Sequence, residues 1–312
     1  MTLRSALLSF RIQRFESTII IGATLLSVVV SAIVIGLFTR GGYADCNSPE
    51  GPVFTATCQS FAARLLPRMA QLSVQIVPFF PIVAGLLAGG PIVARELESG
   101  TARLAWSLGP SRPRWFAQRA VPILAMVLLA GLVIGLTAGA LIHTIVPAAD
   151  LDRSFLGFRE RGVLVGIEAV LIAAIALAFG ALVGRLVPTL ILTLILLFGL
   201  AIAVDKVDRT LLTSEAQLAS GETVSWDTDY VLESRVKFPN GQVMSYEEAF
   251  RTHPEVMNGA WEGDTPPYTD VILYIPGARY LEIERRDAVA LGVLALAFVA
   301  LAAVTVARRR PR

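Results

Sequence analysis

Apolar residues gather in six long runs along the chain: Ile19–Phe38, Leu72–Val93, Ala120–Val146, Gly162–Gly184, Val187–Val204 and Ala288–Ala307. Each is close to the ~20 helical residues that cross a hydrocarbon core, Val187–Val204 being the shortest. The pattern predicts an all-α polytopic membrane protein with six spans. The second run carries Pro78 and Pro81, then Gly85, Gly89, Gly90 and Pro91. An interior proline removes a backbone hydrogen bond and crowds the preceding turn, so this span is expected to be kinked or broken. Gly131, Gly135 and Gly139 in the third run, and Gly180 and Gly184 in the fourth, have the four-residue spacing that lets helices approach closely. Only Arg185 and Leu186 separate the fourth run from the fifth, which forces an antiparallel hairpin.

Composition agrees with this pattern. The chain of 312 residues is 54% hydrophobic and 17% charged, with a mean hydropathy of +0.64. That excludes a soluble enzyme, a nucleic-acid binder and a disordered protein. The first run is too long for the core of a signal peptide and five more follow it, so it is expected to stay as a span. A net charge of +2 argues for no particular partner. Arginine distribution sets the orientation. With the N-terminus inside, the short inner segments 1–18, 94–119, 185–186 and 308–312 hold 13 Arg, against 6 in the short outer segments 39–71 and 147–161. The positive-inside bias then puts both termini in the cytoplasm.

The two cysteines, Cys46 and Cys58, both fall in the outer segment after the first span. A disulfide closing this short loop is expected there, with two unrelated thiols as the bland alternative. Neither has a histidine or a C-x-x-C neighbour, so metal binding is not expected. Glu168 is the only acid well inside a predicted span. A carboxylate there is costly and by default a candidate polar site. Arg159 and Arg161 lie within reach by sequence, so a structural ion pair is the more economical reading. The largest soluble piece, 205–287, holds 16 of the 25 acids. Within it Val231–Phe238 and Gln242–Tyr246 flank Pro239-Asn240-Gly241, a hairpin signal, and Tyr246–Thr252 reads as a short helix. An α+β extracytoplasmic cap is expected. The chain thus divides into 1–204 (spans one to five), 205–287 (the cap) and 288–312 (the sixth span with a basic tail).

Segment 94–119 is the most ordered soluble pattern. Leu97, Thr101, Leu104 and Leu108 recur at helical spacing, and Glu96, Ser99, Arg103 and Ser107 form a second stripe. Gly100 costs ~1 kcal/mol in mid-helix, so one helix or two short pieces both fit. A short amphipathic helix between two spans can lie on lipid or dock on a partner.

These residues resemble a known family. Arg95-Glu96-x-Glu98-x-Gly100-Thr101, then Leu104, Pro110 and Ser111-Arg112, is similar to the loop of ABC-2 type transporter permeases. Trp106 and Arg114-Trp115 resemble a group common in high-GC Gram-positive bacteria, as do Tyr274-x-Pro276-x-x-Arg279-Tyr280 and Arg308-Arg309-Arg310. The resemblance implies a membrane subunit that pairs with a second permease subunit and rests on a separate ABC ATPase subunit to export something. It also implies that the loop is the coupling element, with Glu96, Glu98, Gly100, Thr101, Arg103 and Trp106 at the contact. Leu97, Leu104 and Leu108 would pack on the chain itself or the membrane. Arg309 in the tail is expected to be dispensable.

The chain is not expected to bind ATP. A P-loop needs Gly-Lys-Ser/Thr after a glycine-rich turn, and neither Lys206 nor Lys237 follows a glycine. No cofactor is expected, ATP being held by the partner. The competing reading is a membrane sensor whose outer cap binds a ligand. An intramembrane enzyme is weaker, because the spans lack paired acids or a histidine-rich set.

Overall fold

The spans are built as the apolar runs predict. The computed structural model describes residues 13–41, 58–108, 111–147, 149–221, 223–257 and 267–309. In chain order its helices are α1 (Arg14–Arg40), α2 (Phe61–Ile76), α3 (Phe79–Glu98), α4 (Thr101–Leu108), α5 (Arg112–Ile145), α6 (Leu164–Val183), α7 (Leu186–Glu215), α8 (Tyr246–Thr252), α9 (Pro254–Met257) and α10 (Tyr280–Arg308). Among the described residues six are long and apolar enough to cross a membrane: α1, α3, α5, α6, α7 and α10.

The second apolar run is broken as its prolines predict. Helix α2 stops at Ile76 and α3 starts at Phe79, leaving Val77 and Pro78 between them. The spanning helix is therefore Phe79–Glu98 rather than 72–93. Other boundaries move for a physical reason. Helix α7 continues past Val204 to Glu215, and α10 begins at Tyr280, before the apolar run at 288. Asp205 and Arg209 form an i,i+4 pair that supports the polar extension of α7. The end of an apolar run marks where water begins, and a helix need not stop there.

Two compact units result. The first comprises Met1–Ala148, Gly157–Gly199 and Glu284–Arg312; the second comprises Ala149–Leu156 and Leu200–Ile283. The short 149–156 segment goes with the second unit.

Within the first unit α6 is central. In its apolar window 78% of residues are buried, against 11% in α7 and 17% in α1. Its closest neighbour is α3. A Cβ on Gly89 would meet the Ala173 carbonyl oxygen at 2.2 Å, and one on Gly85 would meet Ile172 at 2.6 Å. On another side, a Cβ on Gly135 would lie 2.2 Å from the Gly162 oxygen, and one on Gly131 2.5 Å from Gly166 Cα. The glycine spacing of the third run is therefore used inside one subunit, where small residues replace the hydrophobic effect as the means of helix association. The buried hydroxyls of Thr189 and Thr193 donate to the Arg185 and Thr189 carbonyls, so α7 satisfies these polar groups internally.

The second unit contains a four-stranded antiparallel sheet in the order β1-β4-β2-β3, with β1 Gln217–Ser220, β2 Tyr230–Lys237, β3 Val243–Ser245 and β4 Thr269–Ile275. The predicted hairpin is β2–β3: Phe238 N–H donates to the Gln242 carbonyl, and Gly241 takes φ +84°. Helix α8 buries Ala249 against Val236 and Phe238. Burial and a hydrogen bond to Asp270 push the Tyr246 hydroxyl up to about 12, so it remains a donor at neutral pH. Strands β1 and β4 carry no hairpin signal and were not expected.

The α3–α6 contact yields a direct expectation. Gly89→Ala should destabilise the protein by about 1–3 kcal/mol, because its new methyl meets backbone that cannot move aside. Gly22→Ala, which meets nothing within 4 Å, should be neutral or slightly stabilising. Thermal unfolding of the two variants in detergent checks this.

Candidate functional site

Residues 94–108 are two helical pieces joined at Gly100, whose φ of +74° lies in the left-handed region that favours glycine. Helix α3 therefore ends at Glu98 and α4 starts a new direction at Thr101. The segment sits where α1, α5 and α7 begin and α3, α6 and α10 end. Helix ends expose unpaired N–H groups at the start and carbonyls at the finish, and opposite charge is favoured at each.

Charged side chains from neighbouring elements meet these ends. The Glu98 carboxylate accepts from the Leu186 N–H at 2.9 Å, placing an anion on the first turn of α7. The Arg309 guanidinium donates to the Ala181 carbonyl at 2.6 Å, in the last turn of α6. Arg112, at the start of α5, donates to the carbonyls of Arg309 and Ala307 at the end of α10. Two ion pairs complete the set. Arg95 meets buried Glu16 of α1 at 3.0 Å, and Arg119 of α5 meets Glu96 at 2.7 Å. Together these contacts join α1, α3, α5, α6, α7 and α10 at one end.

Aromatic rings seat α4 on this frame. Trp106 meets Trp115 edge to face at 5.7 Å between centroids, and Arg112 lies 4.9 Å over the Trp106 ring. Ala102 is fully buried, and Leu97, Ala105 and Trp106 pack against the core that contains Trp115, Phe116 and Ala120.

The residues singled out from the sequence thus divide. Glu96, Glu98 and Trp106 are engaged within the chain itself. Thr101 is exposed on α4, its hydroxyl bonded to Ser99 Oγ at 2.9 Å and facing the Glu96 carbonyl at 3.4 Å. Gly100 has open space around it. The side chains of Arg103, Leu104 and Leu108, and all of Cys46, lie outside the described residues. Arg309 is not a free tail charge, since its guanidinium is bonded to the end of α6. Sequence reasoning missed Glu16, Arg112, Arg119 and Arg309 as partners. The three arginines were counted toward topology, Arg112 and Arg309 also toward the family resemblance, and Glu16 was not singled out at all.

Glu168 sits in α6 near its start, with its carboxylate 4.0 Å from Arg159, whose guanidinium also reaches Asp287 at 3.6 Å. Arg161, the alternative partner by sequence, is itself buried. Among the described residues no cluster of histidine, cysteine and acids could hold a metal ion.

Six helices long and apolar enough to cross a bilayer, tied by charge at one end, define a multi-pass membrane protein. The family comparison names it further: the chain belongs to the ABC-2 membrane transporter related family, whose model matches residues 17–209. That match covers α1 to most of α7, including the loop. No curated protein and no solved structure is significantly similar to it.

The Arg309 contact makes a prediction. Arg309→Ala should lower stability by on the order of 1–2 kcal/mol, since it removes a charge-assisted hydrogen bond at a helix end. Exposed Arg308→Ala should leave the melting temperature unchanged. Melting of both variants in the same detergent decides between a structural tail and a merely basic one.

Proposed function

We propose that this chain is the permease subunit of an ATP-driven exporter, with loop 94–119 as the surface on which a separate ABC ATPase subunit docks. The observation that carries the reading is the site itself. A short helix, α4, is seated on the helix ends through Trp106, and contacts at those ends connect all six spans. A partner pressing on α4 would therefore act on the whole set of helices. Membership of a transporter family supports the same reading.

Exposed Thr101 and Gly100 are then the groups available for contact, while Glu96, Glu98 and Trp106 hold the surface in shape. Arg103 completes the proposed contact by its position in α4. The ATPase supplies nucleotide binding, and this chain needs no cofactor of its own. A second permease subunit, identical or related, would pair with it. Both termini face the cytoplasm, because the loop end gathers Arg14, Arg95, Arg112, Arg114, Arg119 and Arg185. A cargo of amphipathic, drug- or lipid-like character is part of this proposal.

Affinity capture of the tagged chain from its native membranes should bring down an ATP-binding subunit. Thr101→Arg, at an exposed position away from the internal ion pairs, should cut that recovery about tenfold, the equivalent of ~1.4 kcal/mol, with insertion unaffected. Equal recovery for wild type and variant would make the loop a solvated connector.

The proposed orientation also places Cys46 and Cys58 on the oxidising side. Non-reduced peptide mapping should find them bridged, with the bond adding roughly 3 kcal/mol on the chain-entropy model. Labelling of both thiols by a membrane-impermeant reagent in opened cells alone would reverse the topology.

A further inference from the structure

Helix α2 is not needed to cross the membrane. Helix α3 is long and apolar enough to cross by itself: its 20 residues reach about 30 Å at 1.5 Å each, of which the uncharged Phe79–Ala94 supplies about 24 Å. The break at Val77–Pro78 then leaves the 16 residues of α2 at the end of α3 opposite the loop. Its start is fixed by Ser60, whose hydroxyl accepts from the Ala63 N–H at 3.2 Å.

Three faces run along α2. Leu66, Ala70 and Val74 are buried, and the helix packs on α1 and α5. Phe61, Leu65, Met69, Leu72 and Ile76 recur every three or four residues on a second face and are exposed, Phe61 at 78% and Ile76 at 64%. Arg64, Arg68, Gln71 and Gln75 form a third, also exposed, beside the apolar one. Among the described residues neither arginine meets a carboxylate; Arg64 only approaches the Gln59 carbonyl at 3.4 Å.

A helix with one face in the protein, one apolar and open, and one basic and polar matches a single environment. At the boundary of a bilayer the apolar face enters the acyl region, and arginines reach lipid phosphates from the adjoining face. A second copy meeting this one through α2 itself would cover the apolar stripe but would bring no carboxylate to Arg64 and Arg68, since α2 contains none.

We propose that α2 is a membrane-surface helix that binds phospholipid, with Phe61, Leu65, Met69, Leu72 and Ile76 in the acyl layer and Arg64 and Arg68 on anionic phosphate. The inference stands apart from the coupling role of the loop, since it concerns the other end of α3.

Site-specific photocrosslinking tests it on the full chain in vesicles of phosphatidylcholine and phosphatidylglycerol in equal parts. A benzophenone side chain at Met69 or Leu72 should give adducts heavier by one phospholipid, whereas at Gln71 it should give at least fivefold fewer. Phosphatidylglycerol should dominate those adducts and should fall to its bulk share in the Arg64→Gln, Arg68→Gln double variant. Cross-links to a second copy from Met69 and Leu72 would overturn the proposal in favour of a subunit interface. Absence of lipid adducts at both positions would overturn it too. Equal lipid shares with and without the arginines would remove phosphate recognition from it.

Discussion

Charge placed on helix ends is the interaction on which this structure most depends. Apolar side chains cannot hold membrane helices together as they do in water, because lipid is as apolar as they are. At the ends of spans, unpaired N–H and carbonyl groups are strong, directional binding sites. Glu98 takes such a site on α7, Arg309 on α6 and Arg112 on α10. Each contact joins elements distant in sequence, and each places the favourable sign of charge on the helix end it meets.

In mid-bundle the solution is different. There α3 and α6 meet backbone to backbone at Gly85 and Gly89, and α5 meets the start of α6 at Gly131 and Gly135. Removing side chains brings dispersion into play over a long contact. The two devices divide the work: glycines fix the middle of the bundle, and ionic contacts fix one end. Helices α1, α7 and α10 carry large exposed apolar faces, as expected of elements that meet lipid or a second subunit.

Much of this was legible in the sequence. Six apolar runs give six spans, Pro78 marks a break, and Pro239-Asn240-Gly241 marks a hairpin, because each signal is local. Partners at long range were not legible. Arg309 contacts Ala181 and Arg112 contacts Arg309 across most of the chain, and nothing in a run of arginines says which is bound. Glu96 was expected to face outward because it lies on the polar stripe of an amphipathic pattern, and Glu98 because the family resemblance puts it at the contact. Periodicity separates polar from apolar faces but cannot tell water from a neighbouring guanidinium. Strands β1 and β4 were missed for a similar reason, since their pairing spans more than fifty residues. The extension of α7 to Glu215 was missed because hydropathy records the surroundings of a helix and not its hydrogen bonds.

Gly100 gives the loop end a mechanical character. Its left-handed backbone interrupts the hydrogen-bonded column between α3 and α4, and no side chain crowds it. Besides the Ser99–Thr101 hydroxyl bond across the joint, α4 is tied sideways, through the Trp106 ring to the Arg112 guanidinium and on to the last carbonyls of α10. Under the proposed docking, Gly100 is the point about which α4 would turn, and the end of the sixth span is the first distant element it would reach.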